Sequence, residues 1–153
     1  MAFVLFIGVL FSFLLALSFF HTKKNDHQIE YIYSWAWPIG AFVWEDLFIF
    51  SVLGLIGCVV TIMLRDIRIG YLFFVVFWVV RSAGETLYFF FQQFSQPTAY
   101  PHVVGKHFTV IRRIFGKLSD QKCFILMQVF HQSALVCSLV LLIILLLNWP
   151  ALR

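Results

Sequence analysis

Arg81 and Glu85 are the residues of this chain whose types and spacing best suit chemistry. They lie one helical turn apart within residues 69–94, an otherwise apolar stretch that is long enough to cross a bilayer. Ionisable side chains at that depth are rare, and they normally face a protein interior or a wet cavity. If water reaches the pair, Glu85 can exchange protons or bind a substrate, because a charge partner in a low-dielectric site shifts a pKa strongly.

Other polar residues share helix faces at similar depth. On the third apolar stretch the polar positions recur at i, i+4, i+7 and i+11, and on the last stretch they recur at i, i+3 and i+4. Glu85 falls at nearly the depth of His131 if each residue rises about 1.5 Å, and Asp46 joins them if its helix starts at Pro38. The sequence therefore predicts one polar layer, which consists of Asp46, Arg81, Glu85, Tyr88, Gln92, Gln128, His131 and Gln132.

Two interpretations of the polar layer stay open. In the first, Arg81 and Glu85 form an ion pair and the remaining groups satisfy one another, so that the network fixes helix register; polar contacts between membrane helices contribute about 0.6–2 kcal/mol each. In the second, the layer lines a cavity open to the cytoplasm. No motif for nucleophilic catalysis or for phosphate or dinucleotide binding accompanies it, and no histidine base can be assigned to Ser82.

The composition indicates the class of protein. Hydrophobic residues make up 62% of the 153-residue chain and charged residues 12%, with a mean hydropathy of +0.94, whereas soluble domains carry about 25% charged residues. We therefore expect an all-α integral membrane protein with a single membrane domain, residues 1–153. The net charge of +4 does not indicate nucleic-acid binding, because the basic residues cluster in loops that flank the membrane.

The cysteines and histidines indicate no cofactor. Cys58, Cys123 and Cys137 form no Cys-x-x-Cys pair, which argues against a membrane thiol-disulfide oxidoreductase. His131 is the only histidine inside a predicted span, so one chain cannot hold a haem between two such residues. No His-x-x-x-His or Glu-x-x-His spacing offers a metal site.

Four apolar runs predict a four-transmembrane-helix bundle. The connections after the first and third runs hold seven Lys and Arg residues, and the opposite side holds three. The positive-inside rule then puts both long loops in the cytoplasm and both termini on the non-cytoplasmic side. The predicted spans are about 2–20, 38–64, 69–94 and 124–147.

A further element is expected between the third and fourth spans, over about residues 105–118. Its apolar side chains recur at helical spacing from Phe108 to Leu118, and its basic side chains mostly fall elsewhere around the helix. This pattern predicts a short cytoplasmic amphipathic helix on the membrane surface, attracted to anionic lipid headgroups. The residues expected to contact the headgroups are Lys106, Arg112, Arg113 and Lys117.

Three functions fit these features. The favoured one is a non-catalytic subunit or accessory and assembly component, with the lipid bilayer and either further copies of the chain or other membrane subunits as partners. It is motivated by the absence of a reaction motif and by small residues on the second span that allow close helix approach, namely Ser51, Gly54, Cys58 and Thr61. The alternative is an embedded binding or transport site for a small amphipathic or ionic ligand, which uses Glu85, His131 and Arg81. A lipid-modifying enzyme comes third, with the basic loop holding a phosphate and Glu85 or His131 as general base.

Overall fold

The computed structural model describes residues 2–24, 43–94 and 108–149, which form helices joined by short turns and contain no strand. Four of the helices, of 21 to 28 residues, are long and apolar enough to cross a membrane. This confirms the prediction of an all-α chain with four long apolar helices. In chain order the helices are α1 Ala2–Lys24, α2 Trp44–Leu64, α3 Ile67–Gln92, α4 Thr109–Phe115 and α5 Asp120–Leu147.

The helix ends differ from the predicted spans by a few residues. The first helix continues to Lys24, which places His21, Lys23 and Lys24 in its last turn, where the helix dipole favours cations. The last helix starts earlier than predicted, at Asp120, because the hydroxyl of Ser119 caps it by accepting the backbone N–H of Lys122.

The second helix begins later than predicted. The structure describes α2 from Trp44, after an extended Val43, and the predicted start at Pro38 lies outside the described residues. Asp46 is therefore in the first helical turn, beside Glu45, rather than two turns inside the span. Carboxylates are favoured in that turn because the backbone N–H groups there carry partial positive charge.

The chain divides into two compact units, Met1–Phe74 and Val75–Arg153, and the division falls within α3. In the first unit, α1 packs antiparallel on α2. Gly8 lies beside Cys58, and the ring of Phe11 covers Gly54 so closely that a Cβ there would lie 2.5 Å from it. The small residues of α2 thus allow a close helix approach, as the sequence predicts, and the helix that approaches is α1 of the same chain.

Hydroxyl groups in this interface are satisfied within their own helix. Ser51 donates to the carbonyl of Leu47 (2.6 Å), and Thr61 donates to the carbonyl of Gly57 (2.7 Å). Both side chains are fully buried. Because each hydroxyl already has an acceptor, it can be buried against α1 or α3 without the cost of an unmade hydrogen bond.

A tight turn joins α2 to α3. Arg65 adopts the left-handed conformation (φ 52°) and its N–H caps the end of α2. The carboxylate of Asp66 accepts the backbone N–H of Arg68 (3.0 Å) and pairs with its guanidinium, which holds the pKa of Asp66 below its ordinary value. This turn lays the start of α3 against α2, with the Phe73 ring over Gly57.

In the second unit, α4 is tied to the beginning of α5. The Phe108 ring, fully buried, meets Phe124 edge-on at a centroid distance of 5.1 Å. The guanidinium of Arg112 donates to the carbonyl of Leu118 (3.1 Å) and pairs with Asp120. Within the segment predicted over 105–118 the structure describes a helix over Thr109–Phe115, which ends before Gly116 with φ 84°; residues 105–107 lie outside the described residues.

Candidate functional site: the polar layer of α3 and α5

Arg81 and Glu85 form the ion pair that their spacing predicts. Nη1 of Arg81 lies 2.7 Å from Oε1 of Glu85, and the two side chains are 19% and 10% exposed. The pair is thus mostly withdrawn from the protein surface. In such an environment the two charges interact more strongly than they would in water, and each lowers the cost of burying the other.

Ring and amide contacts join the α3 region to α5, where Phe89 lies with its ring centroid 6.3 Å from that of Phe124. The imidazole of His131 stacks on the ring of Phe89, with centroids 5.7 Å apart and planes within 15°. Just past the end of α3, the side-chain amide of Gln93 donates to the amide oxygen of Gln128, and it also donates to the carbonyl of Phe89 (3.2 Å). His131 therefore meets α3 at Phe89, one turn beyond Glu85, the residue that the depth argument placed level with it.

The residues that contact α5 each follow the predicted residue by one position in the sequence. The predicted stripe was Arg81, Glu85, Tyr88 and Gln92, whereas Phe89 and Gln93 meet α5. One residue corresponds to about 100° around a helix. Tyr88 is accordingly 44% exposed, and its ring packs edge-on against Phe89; Gln92 is partly buried.

His131 lies in aromatic surroundings. It is 1% exposed, and besides its stack on Phe89 it meets the Phe130 ring edge-on at 5.2 Å. The third predicted polar residue of α5, Gln132, is exposed instead and has no hydrogen-bond partner among the described residues. The polar face read from α5 is therefore divided between an inward histidine and an outward glutamine.

Two buried hydroxyls beside Glu85 were not predicted as members of the layer. Oγ of Ser82 and Oγ1 of Thr86 are both buried, and neither makes a hydrogen bond within the part of the chain that the structure describes. Together with Phe89 and Gln93 they recur at i, i+4, i+7 and i+11. This is the spacing of the predicted stripe shifted by one residue, and it is the sequence signal that could have identified them.

The remaining candidates are placed as follows. Asp46 belongs to the first unit, in the first turn of α2. Arg112 is engaged at the start of α5, whereas Arg113 and Lys117 are exposed; Lys106 lies outside the described residues. Within residues 2–24, 43–94 and 108–149, no group of three or more His, Cys, Asp or Glu side chains is placed to hold a metal ion.

Comparisons with protein-family models, with curated proteins and with solved structures find no match to this chain. A proposal for its function therefore rests on its own residues.

Proposed function

We propose that the protein is a non-catalytic, multi-pass membrane subunit or assembly component, in which the polar layer fixes how the helices pack. The observation that supports this most directly is the amide contact between Gln93, the residue that follows α3, and Gln128 on α5. The Arg81–Glu85 pair and the stacked His131 serve the same purpose. Their side chains are engaged with one another or with aromatic rings inside the chain.

The free energy of polar contacts between helices in a bilayer is consistent with a role in fixing how the helices pack. Hydrocarbon offers no hydrogen-bond partner, so polar side chains on a spanning helix are stabilised by meeting other protein groups. Each such contact contributes about 0.6 kcal/mol on average and up to about 1.7 kcal/mol. That is too little to hold a bundle together, but it is enough to select one register of α3 on α5 among several apolar alternatives.

The same proposal includes an orientation and a lipid contact. Lys23 and Lys24 at the end of α1 and the basic residues around α4 face the cytoplasm, so both termini lie on the other side. The exposed Ile114 and Phe115 of α4 enter the headgroup region, while the exposed Arg113 and Lys117 meet anionic lipids. In this arrangement Arg112 contributes to the fold, since it is engaged at the start of α5.

A double-mutant cycle across the amide contact tests the structural role. Gln93→Leu and Gln128→Leu are each expected to lower the free energy of unfolding, and the double variant should lose less than their sum, with a coupling of about 0.6–1.7 kcal/mol. Unfolding is followed by circular dichroism in mild detergent. A second cycle that pairs Gln93→Leu with Ser133→Ala is the control, because the Ser133 hydroxyl donates to the carbonyl of Val129 in its own helix, and no coupling is expected.

The assembly role is tested by measuring the size of the wild-type protein purified in mild detergent. The wild-type protein is expected to migrate with another membrane protein or as a defined oligomer. Strictly additive effects of the two Leu substitutions, together with migration as a well-behaved monomer, would contradict the proposal.

A second candidate is a ligand-binding or proton-exchanging site at Glu85, and the buried hydroxyls of Ser82 and Thr86 favour it. A buried hydroxyl with no partner is costly, and a bound ligand or water would remove that cost. If no ligand binds there, Ser82→Ala should leave the free energy of unfolding unchanged or raise it, because the substitution removes an unsatisfied hydroxyl. If a ligand binds the hydroxyl, the same substitution should lower the free energy of unfolding.

The measurement for this candidate combines unfolding with proton uptake in proteoliposomes containing a pH-sensitive dye. Glu85→Gln should abolish uptake if the site exchanges protons. Ser133→Ala is the matched control, because the Ser133 hydroxyl donates to the carbonyl of Val129 (2.9 Å) and is exposed. No uptake by the wild-type protein, with a stable Ser82→Ala variant, would reject the second candidate.

A further inference from the structure

Gln132 is the polar residue whose position the proposed fold leaves unexplained. It lies near the middle of the 28-residue helix α5, is exposed, and has no hydrogen-bond partner among residues 2–24, 43–94 and 108–149. The neighbouring hydroxyl of Ser133 is satisfied by its own helix. If α5 spans a membrane, an exposed amide at mid-depth faces hydrocarbon, which supplies neither the acceptor nor the donors that it needs.

The apolar residues around Gln132 form a regular row on the exposed side of α5. Their spacing alternates between four and three residues, which is the repeat of helices that wrap around each other in a left-handed pair. Every apolar member is at least 40% exposed. We call this surface the Gln132 row, and it consists of Ile125, Val129, Gln132, Val136, Leu139, Ile143 and Leu146.

The order of residue types within the row favours pairs of helices. In heptad terms Val129, Val136 and Ile143 occupy the a positions, and Ile125, Gln132, Leu139 and Leu146 occupy the d positions. β-Branched residues at a with leucine at d favour two-stranded, parallel packing. A single polar residue inside an otherwise apolar row specifies register, because any slip leaves its amide unpaired.

We propose that the Gln132 row binds a second copy of this chain, with α5 of each copy side by side and the two Gln132 amides hydrogen-bonded to each other. The inference rests on the proposed insertion in a membrane, and it names the partner which that proposal leaves open. All copies inserted in one membrane share an orientation, so a two-fold axis along the membrane normal places each residue of α5 opposite itself.

A second copy of the chain supplies the hydrogen-bond donor and acceptor that the Gln132 amide needs. An amide side chain is both donor and acceptor, so two Gln132 side chains at equal depth complement each other, and the apolar members of the row meet in register. A different membrane protein would have to present its own polar group at that depth within a matching row. The Gln93–Gln128 contact within the chain shows the same amide-to-amide pairing.

Disulfide trapping of the full chain in native membranes tests the geometry. In a Cys137→Ser background, Val136→Cys is expected to form a disulfide-linked dimer under mild oxidation, because position 136 faces its counterpart. Leu141→Cys is the matched control: it is similarly exposed, 54% against 60%, but lies about 140° around the helix. The native Cys58 and Cys123 are buried and remain in place. Equal trapping at the two positions, or none at 136, would overturn the proposal.

Substitution of Gln132 tests the amide contact. Gln132→Leu is expected to weaken dimerisation about threefold to twentyfold, as the loss of an interhelical hydrogen bond predicts, and Gln132→Asn should restore part of the dimerisation. Dimerisation is measured by energy transfer between labelled copies at increasing dilution in detergent, and circular dichroism checks that the monomer fold is unchanged. If the Gln132→Leu variant formed dimers as stable as those of the wild type, the proposed role of the amide would be contradicted.

The outcomes separate this inference from the proposed function. A chain found in the membrane fraction with a different protein bound, and with no trapping at position 136, contradicts the self-association but supports the subunit role. A chain absent from the membrane fraction contradicts both. Trapping at 136 together with weaker dimerisation of Gln132→Leu supports both.

Discussion

Replacing Glu85 with glutamine is expected to lower the free energy of unfolding by about 3 kcal/mol, the largest effect of any single substitution considered for this protein. The variant removes the carboxylate that lies 2.7 Å from the Arg81 guanidinium. The positive charge of the Arg81 guanidinium then stays in a long apolar helix without the carboxylate that lies closest to it. Denaturant titration in detergent or bicelles, followed by circular dichroism, measures the loss.

Removing both charges should recover most of that stability. The double variant Arg81→Met with Glu85→Leu leaves no charge to bury, and apolar replacements of buried ion pairs are often neutral or stabilising. Asp66→Asn is the control: it breaks the Asp66–Arg68 pair in the turn between α2 and α3, at a helix end rather than in the middle of a long apolar helix, and we expect a smaller change. If Glu85→Gln were as stable as the wild type, the ion pair would not hold the fold and a functional role for Glu85 would gain support.

Replacing Gly54 with alanine is expected to lower the free energy of unfolding by about 1–3 kcal/mol, as overpacking of a helix interface does. A Cβ at this position would lie 2.5 Å from Cε2 and Cζ of Phe11 and 2.6 Å from Cδ2. Three ring atoms at that distance mean that the whole ring must move, and with it the contact between α1 and α2. Thermal and denaturant unfolding of the purified protein measures the effect.

Gly84→Ala is the matched control for Gly54→Ala. Gly84 also lies inside a long helix, but nothing lies within 4 Å of a Cβ placed there. Alanine is favoured over glycine in a helix by about 1 kcal/mol, so this variant should be as stable as the wild type or more so. Phe11→Leu in the Gly54→Ala background should recover part of the loss, because a smaller side chain makes room for the methyl group. Equal effects at Gly54 and Gly84 would show that Phe11 does not hold α1 on α2.

These expected results distinguish the role of the small residue Gly54 from that of the polar residues on α3 and α5. Gly54 acts through contact distance, since it lets α1 approach α2 inside one chain. The face that the sequence offered as a motive for self-association is thus occupied by α1, and the proposed assembly has to use another surface. The Gln132 row on α5 is the surface that we propose for it, because the row is exposed and carries an amide that the described part of the chain does not satisfy.

The sequence by itself determined the number, lengths and approximate ends of the long helices. Apolar length is a local property, and a helix satisfies its own backbone hydrogen bonds wherever it lies. The Arg81–Glu85 pair was predictable for the same reason, since residues four apart on one helix are neighbours before any tertiary contact forms.

Only the tertiary structure decided which side of each helix meets another. On α3 the sets beginning at Arg81 and at Ser82 have identical spacing, so periodicity cannot tell which side chains are buried. The buried face takes Glu85 from the first set and Ser82 and Phe89 from the second, and Phe89 packs on His131. On α5 the adjacent His131 and Gln132 look alike in the sequence, yet one is buried and the other exposed. The choice depends on how α3 and α5 fit together, and that depends on residues far apart in the chain.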